Sequence, residues 1–202
     1  MSYVVNEVFY SLQGEGLYAG SANVFVRFTG CNLTCARDND AGFDCDTEFN
    51  SGIKMTAAEI VAEVMRLHPT SKHPRVILTG GEPLLQVDEA LVECLLAQGC
   101  TLALETNGTQ TLPRNWHGYV ACSPKTAEHT LRIGAANELR YVRNAGQGLP
   151  RPRVAADALF LSPAWTPDRQ EWQANVKHCM QLVRDNPAWR FSTQQHKLWS
   201  VR

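Results

Sequence analysis

The stretch RVILTGGEPLLQVDEALVECLLAQGCTLALETNG, residues 75–108, decides the fold class of this 202-residue chain. It begins with a short apolar run, residues 75–79, which is typical of a buried parallel strand and leads directly into glycines. An amphipathic helix over residues 88–98 follows and is stopped by Gly99, and residues 101–104 form the next strand. Strand, helix and strand in this order predict an α/β fold with a parallel sheet.

The same pattern extends to both sides of this stretch. A capping box, in which Thr56 is followed by Glu59, predicts a helix that ends before Pro69, and residues 169–184 are predicted as the last helix. About six parallel strands and fewer helices indicate a single domain, residues 1–202, built as a partial, open (β/α) barrel, because a closed eight-stranded barrel usually needs ~250 residues. The four strands predicted outside the opening stretch are residues 22–28, 119–121, 139–142 and 158–161.

Composition and charge narrow the class of function. Hydrophobic residues make up 44% of the chain and charged residues 19%, as in ordinary globular domains. A formal net charge of -1 provides no broad attraction to nucleic acid or to an anionic membrane, so we expect a small-molecule substrate and neither of those partners. No export signal and no apolar run of ~20 residues is present, which predicts a cytoplasmic protein.

The seven cysteines do not suggest a disulfide framework, because their number is odd and no export signal accompanies them. Four of them are scattered through apolar surroundings, where cysteine packs as a small hydrophobic residue. These four are Cys94, Cys100, Cys122 and Cys179.

The other three cysteines, Cys31, Cys35 and Cys45, follow the first predicted barrel strand. Active sites of β/α barrels gather at the carboxyl ends of the strands, so this position favours chemistry. Three thiolates are one fewer than the four that saturate a four-iron cluster or a structural zinc. A cluster held by only three leaves one metal open to another ligand. From the spacing alone, a zinc site, or three cysteines of which only one or two have a role, is an equally good interpretation.

Three motifs at successive strand ends resemble the radical S-adenosylmethionine (SAM) superfamily. They are GCNLTC at residues 30–35, GGEP at residues 80–83 and ETNG at residues 105–108. The resemblance implies a modified radical SAM core in which the three cysteines bind a 4Fe-4S cluster. It also implies that SAM chelates the open iron and is cleaved to a 5'-deoxyadenosyl radical.

Longer segments resemble one family of this superfamily, the 7-carboxy-7-deazaguanine synthases. They are NEVFYSLQGEG at residues 6–16, RF at 27–28, CDTEF at 45–49 and STQQHKL at 192–198. Members of this family are lyases of queuosine and 7-deazapurine biosynthesis, which convert 6-carboxy-5,6,7,8-tetrahydropterin to 7-carboxy-7-deazaguanine and release ammonia. The resemblance therefore implies a pterin substrate, magnesium, a flavodoxin-type or similar electron donor and a homodimer.

The resemblance also implies roles for residues that match the family motifs, including a C-terminal tail, residues 189–202, that closes the pocket. Thr47 is expected to bind magnesium, and Arg27 is expected to form a bidentate pair with the substrate carboxylate. The expected SAM contacts are Asp44, Asp46, Gly81, Glu82, Glu105, Ser123, Pro124, Lys125, Ser162 and Pro163. The expected substrate contacts are Leu12, Gln13, Gly14, Glu15, Arg27, Thr79, His196 and Arg202.

The cluster loop, residues 30–47, departs from the superfamily pattern. Nine residues, 36–44, separate the second and third cysteines where two are usual, and Asp44 takes the place of an aromatic residue. Loop closure costs rise slowly with length and ligation requires thiolates that converge in space, so this spacing is compatible with a cluster.

Two alternative functions remain at the level of sequence. A glycyl-radical activating enzyme is also short and carries the cysteine cluster, but the QGE run at residues 13–15 and His196 argue against it. A zinc-binding interaction module requires no glycine-rich motifs at its strand ends, so the barrel pattern argues against that class.

Overall fold

The computed structural model describes residues 1–39, 41–70 and 73–201. The strands of these residues form one open mixed sheet in the order β3-β1-β2-β4-β5-β6-β7-β8-β9. Their bounds are β1 (Ser2–Leu12), β2 (Ala22–Phe28), β3 (Ile53–Thr56), β4 (Arg75–Gly80), β5 (Thr101–Thr106), β6 (Tyr119–Cys122), β7 (Ala135–Arg143), β8 (Ala155–Pro163) and β9 (Trp189–Phe191).

Neighbouring strands are parallel throughout the part of the sheet that runs β2-β4-β5-β6-β7-β8-β9, whereas β1 pairs antiparallel with both β2 and β3. The strands predicted from the sequence are all present and parallel, and the open sheet confirms the partial barrel. Three strands are additional to the prediction. The register of β1 shifts between Val5 and Glu7, and β3 and β9 have only four and three residues, too few to show a periodicity.

Helices pack on the sheet, and the side chain that precedes each of α1, α2 and α3 caps its first turn. Their bounds are α1 (Ala57–Leu67), α2 (Glu89–Ala97), α3 (Arg169–Asp185) and α4 (Gln195–Trp199). The predicted capping box is present, because the Thr56 side chain accepts the Glu59 N–H while the Glu59 side chain accepts the Thr56 N–H. The helix predicted over residues 169–184 is present as α3, but it is not the last helix, since the short α4 follows.

The core consists of aliphatic and aromatic side chains of the strands together with one face each of α1 and α2. Its largest fully buried apolar members are Phe28, Ile60, Ile77, Leu78, Leu91, Leu95, Leu104, Leu139 and Leu161. Three of the four scattered cysteines are buried as predicted, but Cys94 is exposed, because it lies on the solvent side of α2. In the described ranges, no helix is long and apolar enough to cross a membrane.

The carboxyl ends of β2 and β4 approach each other closely. Gly80 has φ +138°, and a Cβ atom there would lie 2.2 Å from the carbonyl oxygen of Phe28. Only glycine permits this approach. The loops after the parallel strands are thereby gathered at one edge of the sheet.

Candidate active site

Two adjoining cavities open at the carboxyl ends of the parallel strands. We name them the cysteine cavity, which Cys31, Cys35 and Cys45 line, and the Arg27 cavity, which Arg27 and Phe9 line. The cavities are neighbours because some residues line both. The shared residues are Glu15, Asp46, Thr47, Thr79, Glu105 and Gln194.

Most of the residues predicted for the site line one or both cavities. Glu82 and Pro124 are not among the lining residues, and Arg202 lies outside the described residues. The predicted residues of the cysteine cavity are Glu15, Cys31, Cys35, Asp44, Cys45, Asp46, Thr47, Thr79, Gly81, Glu105, Ser123, Lys125, Ser162 and Pro163. The predicted residues of the Arg27 cavity are Leu12, Gln13, Gly14, Glu15, Arg27, Asp46, Thr47, Thr79, Glu105 and His196.

The three thiols border the cysteine cavity and are held there by the backbone of their own loop. The Cys45 N–H donates to the carbonyl oxygen of Cys35 at 3.3 Å, and the Leu33 N–H donates to Cys31 Sγ at 3.4 Å. Burial raises the pKa of both Cys31 and Cys35, while the nearby Lys125 opposes this rise at Cys35. Within the described ranges, no group of three or more His, Cys, Asp or Glu side chains forms a ready-made metal site.

The three strand-end motifs contact one another. The Glu82 N–H donates to the carbonyl oxygen of Gly30 at 2.9 Å, which joins the GGEP motif to the cluster loop. The Glu82 side chain is fully buried and accepts from Thr106 Oγ1 at 2.8 Å and from the Asn107 N–H at 2.7 Å, which joins it to the ETNG motif. Burial raises the pKa of this carboxyl group. Glu82 thus joins the cluster loop and the ETNG motif by hydrogen bonds, while its side chain does not line the cavity.

The donor set of the cysteine cavity suits an iron-sulfur cluster with a polar organic ligand. Ser162 Oγ is buried and has no hydrogen-bond partner among the described residues, so a ligand group at this wall would satisfy it. A partly buried cation, Lys125, and the carboxylates of Glu105 and Asp46 lie on the same cavity. The cavity therefore combines thiolates for a metal cluster with acidic, basic and hydroxyl groups for a zwitterion such as SAM.

Arg27 lies beside the aromatic floor of its cavity. Its Nε lies 2.9 Å from Glu7 Oε1, and its guanidinium carbon lies 5.6 Å from the centroid of the Phe9 ring. Phe9 and Phe25 stack with their ring centroids 5.0 Å apart. Since a guanidinium recognises a carboxylate by paired hydrogen bonds, this cavity suits a flat ring that carries an acid.

Gln13 and Glu15 lie between the two cavities. The Glu15 N–H donates to Gln13 Oε1 at 3.1 Å, and Gln13 Nε2 donates to Glu105 Oε1 at 2.8 Å. The amide of Gln13 therefore links the loop after β1 to the end of β5.

The C-terminal segment packs onto this loop. The Gln195 N–H donates to the carbonyl oxygen of Gly14 at 3.0 Å, and a Cβ atom on Gly14 would lie only 2.0 Å from His196 Nδ1. Burial lowers the pKa of His196. Lys197 Nζ lies 2.5 Å from Asp46 Oδ2, so the same segment also contacts the cluster loop.

Curated relatives match the chain over almost its whole length. The chain is 40% identical to the 7-carboxy-7-deazaguanine synthase of Bacteroides thetaiotaomicron, with 98% of each chain covered. It is 41% identical to the synthase of the same name from Nitratidesulfovibrio vulgaris, with 100% of each chain covered. The chain belongs to the 7-carboxy-7-deazaguanine synthase family. Within it, the Bordetella pertussis synthase is 38% identical over 98% of both chains.

Two further comparisons concern the cluster loop and the fold. A family model described as a 4Fe-4S single cluster domain matches residues 12–110, which include all three cysteines of the cluster loop. The crystal structure of QueE from Escherichia coli superposes with a TM-score of 0.68, covering 96% of this chain and 94% of that one. At 23% sequence identity this superposition supports the fold.

Several site residues of this synthase family member are not evident from the sequence. Arg140, on β7, lines the cysteine cavity, and Trp165 lines it beyond the end of β8. The sequence carries one signal for Arg140: Glu138 and Arg140 place two charges on one face of a strand, next to the apolar residues Leu139, Tyr141 and Val142. Such charges are rarely buried without partners.

The nine-residue insertion of the cluster loop is fastened to the opposite side of the barrel. Arg37 Nη1 donates to Glu171 Oε1 at 3.0 Å and its Nη2 donates to Thr166 Oγ1 at 3.0 Å, while its Nε donates to Asp44 Oδ2 at 3.1 Å. Asn144 Nδ2 donates to the carbonyl oxygen of Gly42 at 2.5 Å. Arg37 therefore connects Asp44, the residue before Cys45, to α3 and to the loop after β8.

Proposed function

We propose that this chain is a radical SAM lyase that converts 6-carboxy-5,6,7,8-tetrahydropterin to 7-carboxy-7-deazaguanine with release of ammonia. The observation that carries the proposal is the shared wall between the cysteine cavity and the Arg27 cavity. Radical chemistry requires the cleaved cofactor and the reacting ring to be adjacent and shielded from water. Two cavities with common lining residues meet the first of these requirements.

In this proposal Cys31, Cys35 and Cys45 would hold the 4Fe-4S cluster, and the expected SAM contacts that line the cysteine cavity would bind SAM. These contacts are Asp44, Asp46, Gly81, Glu105, Ser123, Lys125, Ser162 and Pro163. When bound, the cluster and SAM supply a radical that takes a hydrogen atom from the substrate. Ser162 Oγ, which lacks a protein partner in the described chain, would donate to or accept from SAM. Thr47, which lines both cavities, would bind Mg²⁺ through its hydroxyl, with substrate oxygens and water as further ligands.

The chain itself would bind and orient the pterin. Arg27 would pair with the substrate carboxylate while Glu7 holds the guanidinium from the side at 2.9 Å. Gln13 and the Gly14 backbone would recognise the polar edge of the ring, and His196 would cover it, since this side chain packs directly on Gly14. Each contact fixes the ring before the radical forms, which is the main way a protein serves cofactor chemistry.

The proposal includes two expectations about partners. One is a flavodoxin-type or similar electron donor for the cluster, and the other is a homodimer. Mass photometry of the reconstituted protein tests the second expectation.

A product assay tests the function. The anaerobically reconstituted and reduced enzyme is incubated with SAM, Mg²⁺ and 6-carboxytetrahydropterin, and the deazaguanine product is sought by mass. We expect product from the wild type and a large loss with Arg27→Ala. The matched control is Arg66→Ala, which removes an exposed arginine of α1 whose partner is Glu63. If 5'-deoxyadenosine formed only after a protein partner was added, an activating enzyme would replace this proposal.

A further inference from the structure

Arg140 is a buried cation at the centre of a carboxylate network. Its side chain is 4% exposed, and its guanidinium contacts Glu15, Glu105 and Glu138. Nη1 donates to Glu15 Oε2 at 2.9 Å, and Nη2 donates to Glu105 Oε2. Nε lies 3.0 Å from Glu138 Oε1, an ion-pair contact without an aligned hydrogen bond. A planar fork with donors on separate nitrogens can bridge two carboxylates in this way.

Glu138 is a buried partner of the guanidinium and lines neither cavity. It lies two residues before Arg140 on β7, so both side chains project from the same face of the strand. Its carboxylate accepts from the Leu17 N–H at 2.9 Å and from the Tyr119 hydroxyl at 2.8 Å. A Cβ atom on Gly16 would lie 2.1 Å from Glu138 Oε1, so the loop after β1 rests directly on this carboxylate.

Glu15 and Glu105 line both cavities, although they belong to separate parts of the fold. Glu15 lies in the loop after β1 and Glu105 near the end of β5. Two carboxylates on one wall repel each other unless a cation lies between them. The neutral Gln13 side chain donates to the Glu105 carboxylate. Among the ion pairs of the described residues, only those of Arg140 place a positive charge against both carboxylates.

We propose that Arg140 is a positioning residue that fixes Glu15 and Glu105 on the wall between the cofactor cavity and the substrate cavity. The inference rests on the proposed function and deepens it by naming the group that couples the two cavities. Arg140 sets the distance between the two carboxylates, and Glu138 sets the place of Arg140. Radical formation in one cavity is thereby matched to a correctly placed ring in the other.

The test compares Arg140→Met, which keeps an apolar stem without charge, with Arg140→Lys, which restores a charge on one nitrogen. We expect Arg140→Met to keep the iron content of the wild type and to lose on the order of 100-fold in kcat/KM, the effect of a misplaced reacting group. The ratio of 5'-deoxyadenosine to deazaguanine product should rise, because cofactor cleavage no longer matches substrate placement. Arg140→Lys should lie between Arg140→Met and wild type. Arg66→Met, at an exposed ion pair of α1, is the control.

The outcomes separate this inference from the proposed function. If the wild type forms product and Arg140→Met has the same kcat/KM and the same product ratio, the positioning role is overturned while the function stands. If the wild type forms no product, the function is overturned, and crystal structures of the wild type and Arg140→Met decide the positioning role. Unchanged Glu15 and Glu105 carboxylates would contradict it, and separated ones would support it. If Arg140→Met does not fold, Glu138→Gln is tested in the same assays, and wild-type behaviour there overturns the inference.

Discussion

Replacement of Gly81 by alanine should displace the cluster loop. A Cβ atom on Gly81 would lie 2.1 Å from the carbonyl oxygen of Gly30 and 2.9 Å from Cys31 Cβ, whereas non-bonded carbon contacts prefer about 3.5 Å. Both atoms belong to the loop that carries the first cysteine, so this loop has to move by about 1 Å. The movement breaks the hydrogen bond from the Glu82 N–H to Gly30, which measures 2.9 Å.

The cost of this substitution can be worked out from those contacts. Overpacking costs about 1–3 kcal/mol, and an unsatisfied buried N–H at Glu82 adds about 1–3 kcal/mol. A loss of about 2–6 kcal/mol corresponds to a decrease in Tm of about 4–24 °C for a domain of this size. Calorimetry on the apoprotein and iron analysis after reconstitution measure the two effects, and both stability and iron content should fall.

Gly134→Ala is the matched control for Gly81→Ala, since a Cβ atom at Gly134 meets nothing within 4 Å and its φ is not positive. We expect this control to stay close to the wild type in Tm and iron content. If Gly81→Ala were as stable as Gly134→Ala and bound iron normally, the tight contact between the GGEP motif and the cluster loop would be refuted.

Three further predictions follow from other contacts. Gly14→Ala should raise KM for the pterin, because its Cβ would lie 2.0 Å from His196 Nδ1 and push the C-terminal segment away, and an unchanged KM would contradict this packing. Arg37→Ala should clearly reduce the fraction of iron retained under a chelator and lower Tm only slightly, since the Arg37 side chain joins the cluster loop to Glu171 on α3. Iron retention equal to that of the wild type would show that this ion pair is dispensable. Hydrogen bonds from the Thr56 N–H and hydroxyl hold the pKa of Glu59 below its unfolded value, so the stabilisation is present above about pH 4.5 and is lost as pH falls through the folded pKa. In urea unfolding from pH 7 to pH 3, the free energy of unfolding of the wild type should therefore exceed that of Glu59→Gln by an amount that decreases as the pH falls. A difference that stays constant with pH would disprove the capping role.

The sheet was predictable where strands are buried on both faces. Arg75–Gly80 has three consecutive apolar residues, 76–78, just before its glycine loop, and this pattern is typical of a central parallel strand. The first strand, Ser2–Leu12, carries Asn6 and Glu7 at a register shift, so neither alternation nor a continuous apolar run is visible. The short edge strands are fixed by tertiary pairing rather than by local sequence.

The site was predictable where motifs match a family and not where contacts are long-range. Arg27 and Cys45 were identified by motif, and both line the cavities. Arg140 and Glu138 resemble solvated charges in the sequence, because their partners lie elsewhere along the chain. Arg140 contacts Glu15 and Glu105, and Glu138 accepts from Leu17 and Tyr119. Glu82 shows the opposite case, since a residue of a recognisable motif directs its carboxylate to three protein donors behind the cavity.

The iron-sulfur site is tested most directly by the metal content of the reconstituted protein and of two variants, each with one cysteine replaced by alanine. We expect about four irons per chain and broad visible absorption for the wild type and for Cys94→Ala, whose thiol is exposed on α2. Cys45→Ala should lose both signals, because the nine-residue insertion brings this thiol to the cavity of Cys31 and Cys35. Colourless wild-type protein that carries zinc, or a Cys45→Ala variant with a full cluster, would contradict the central claim.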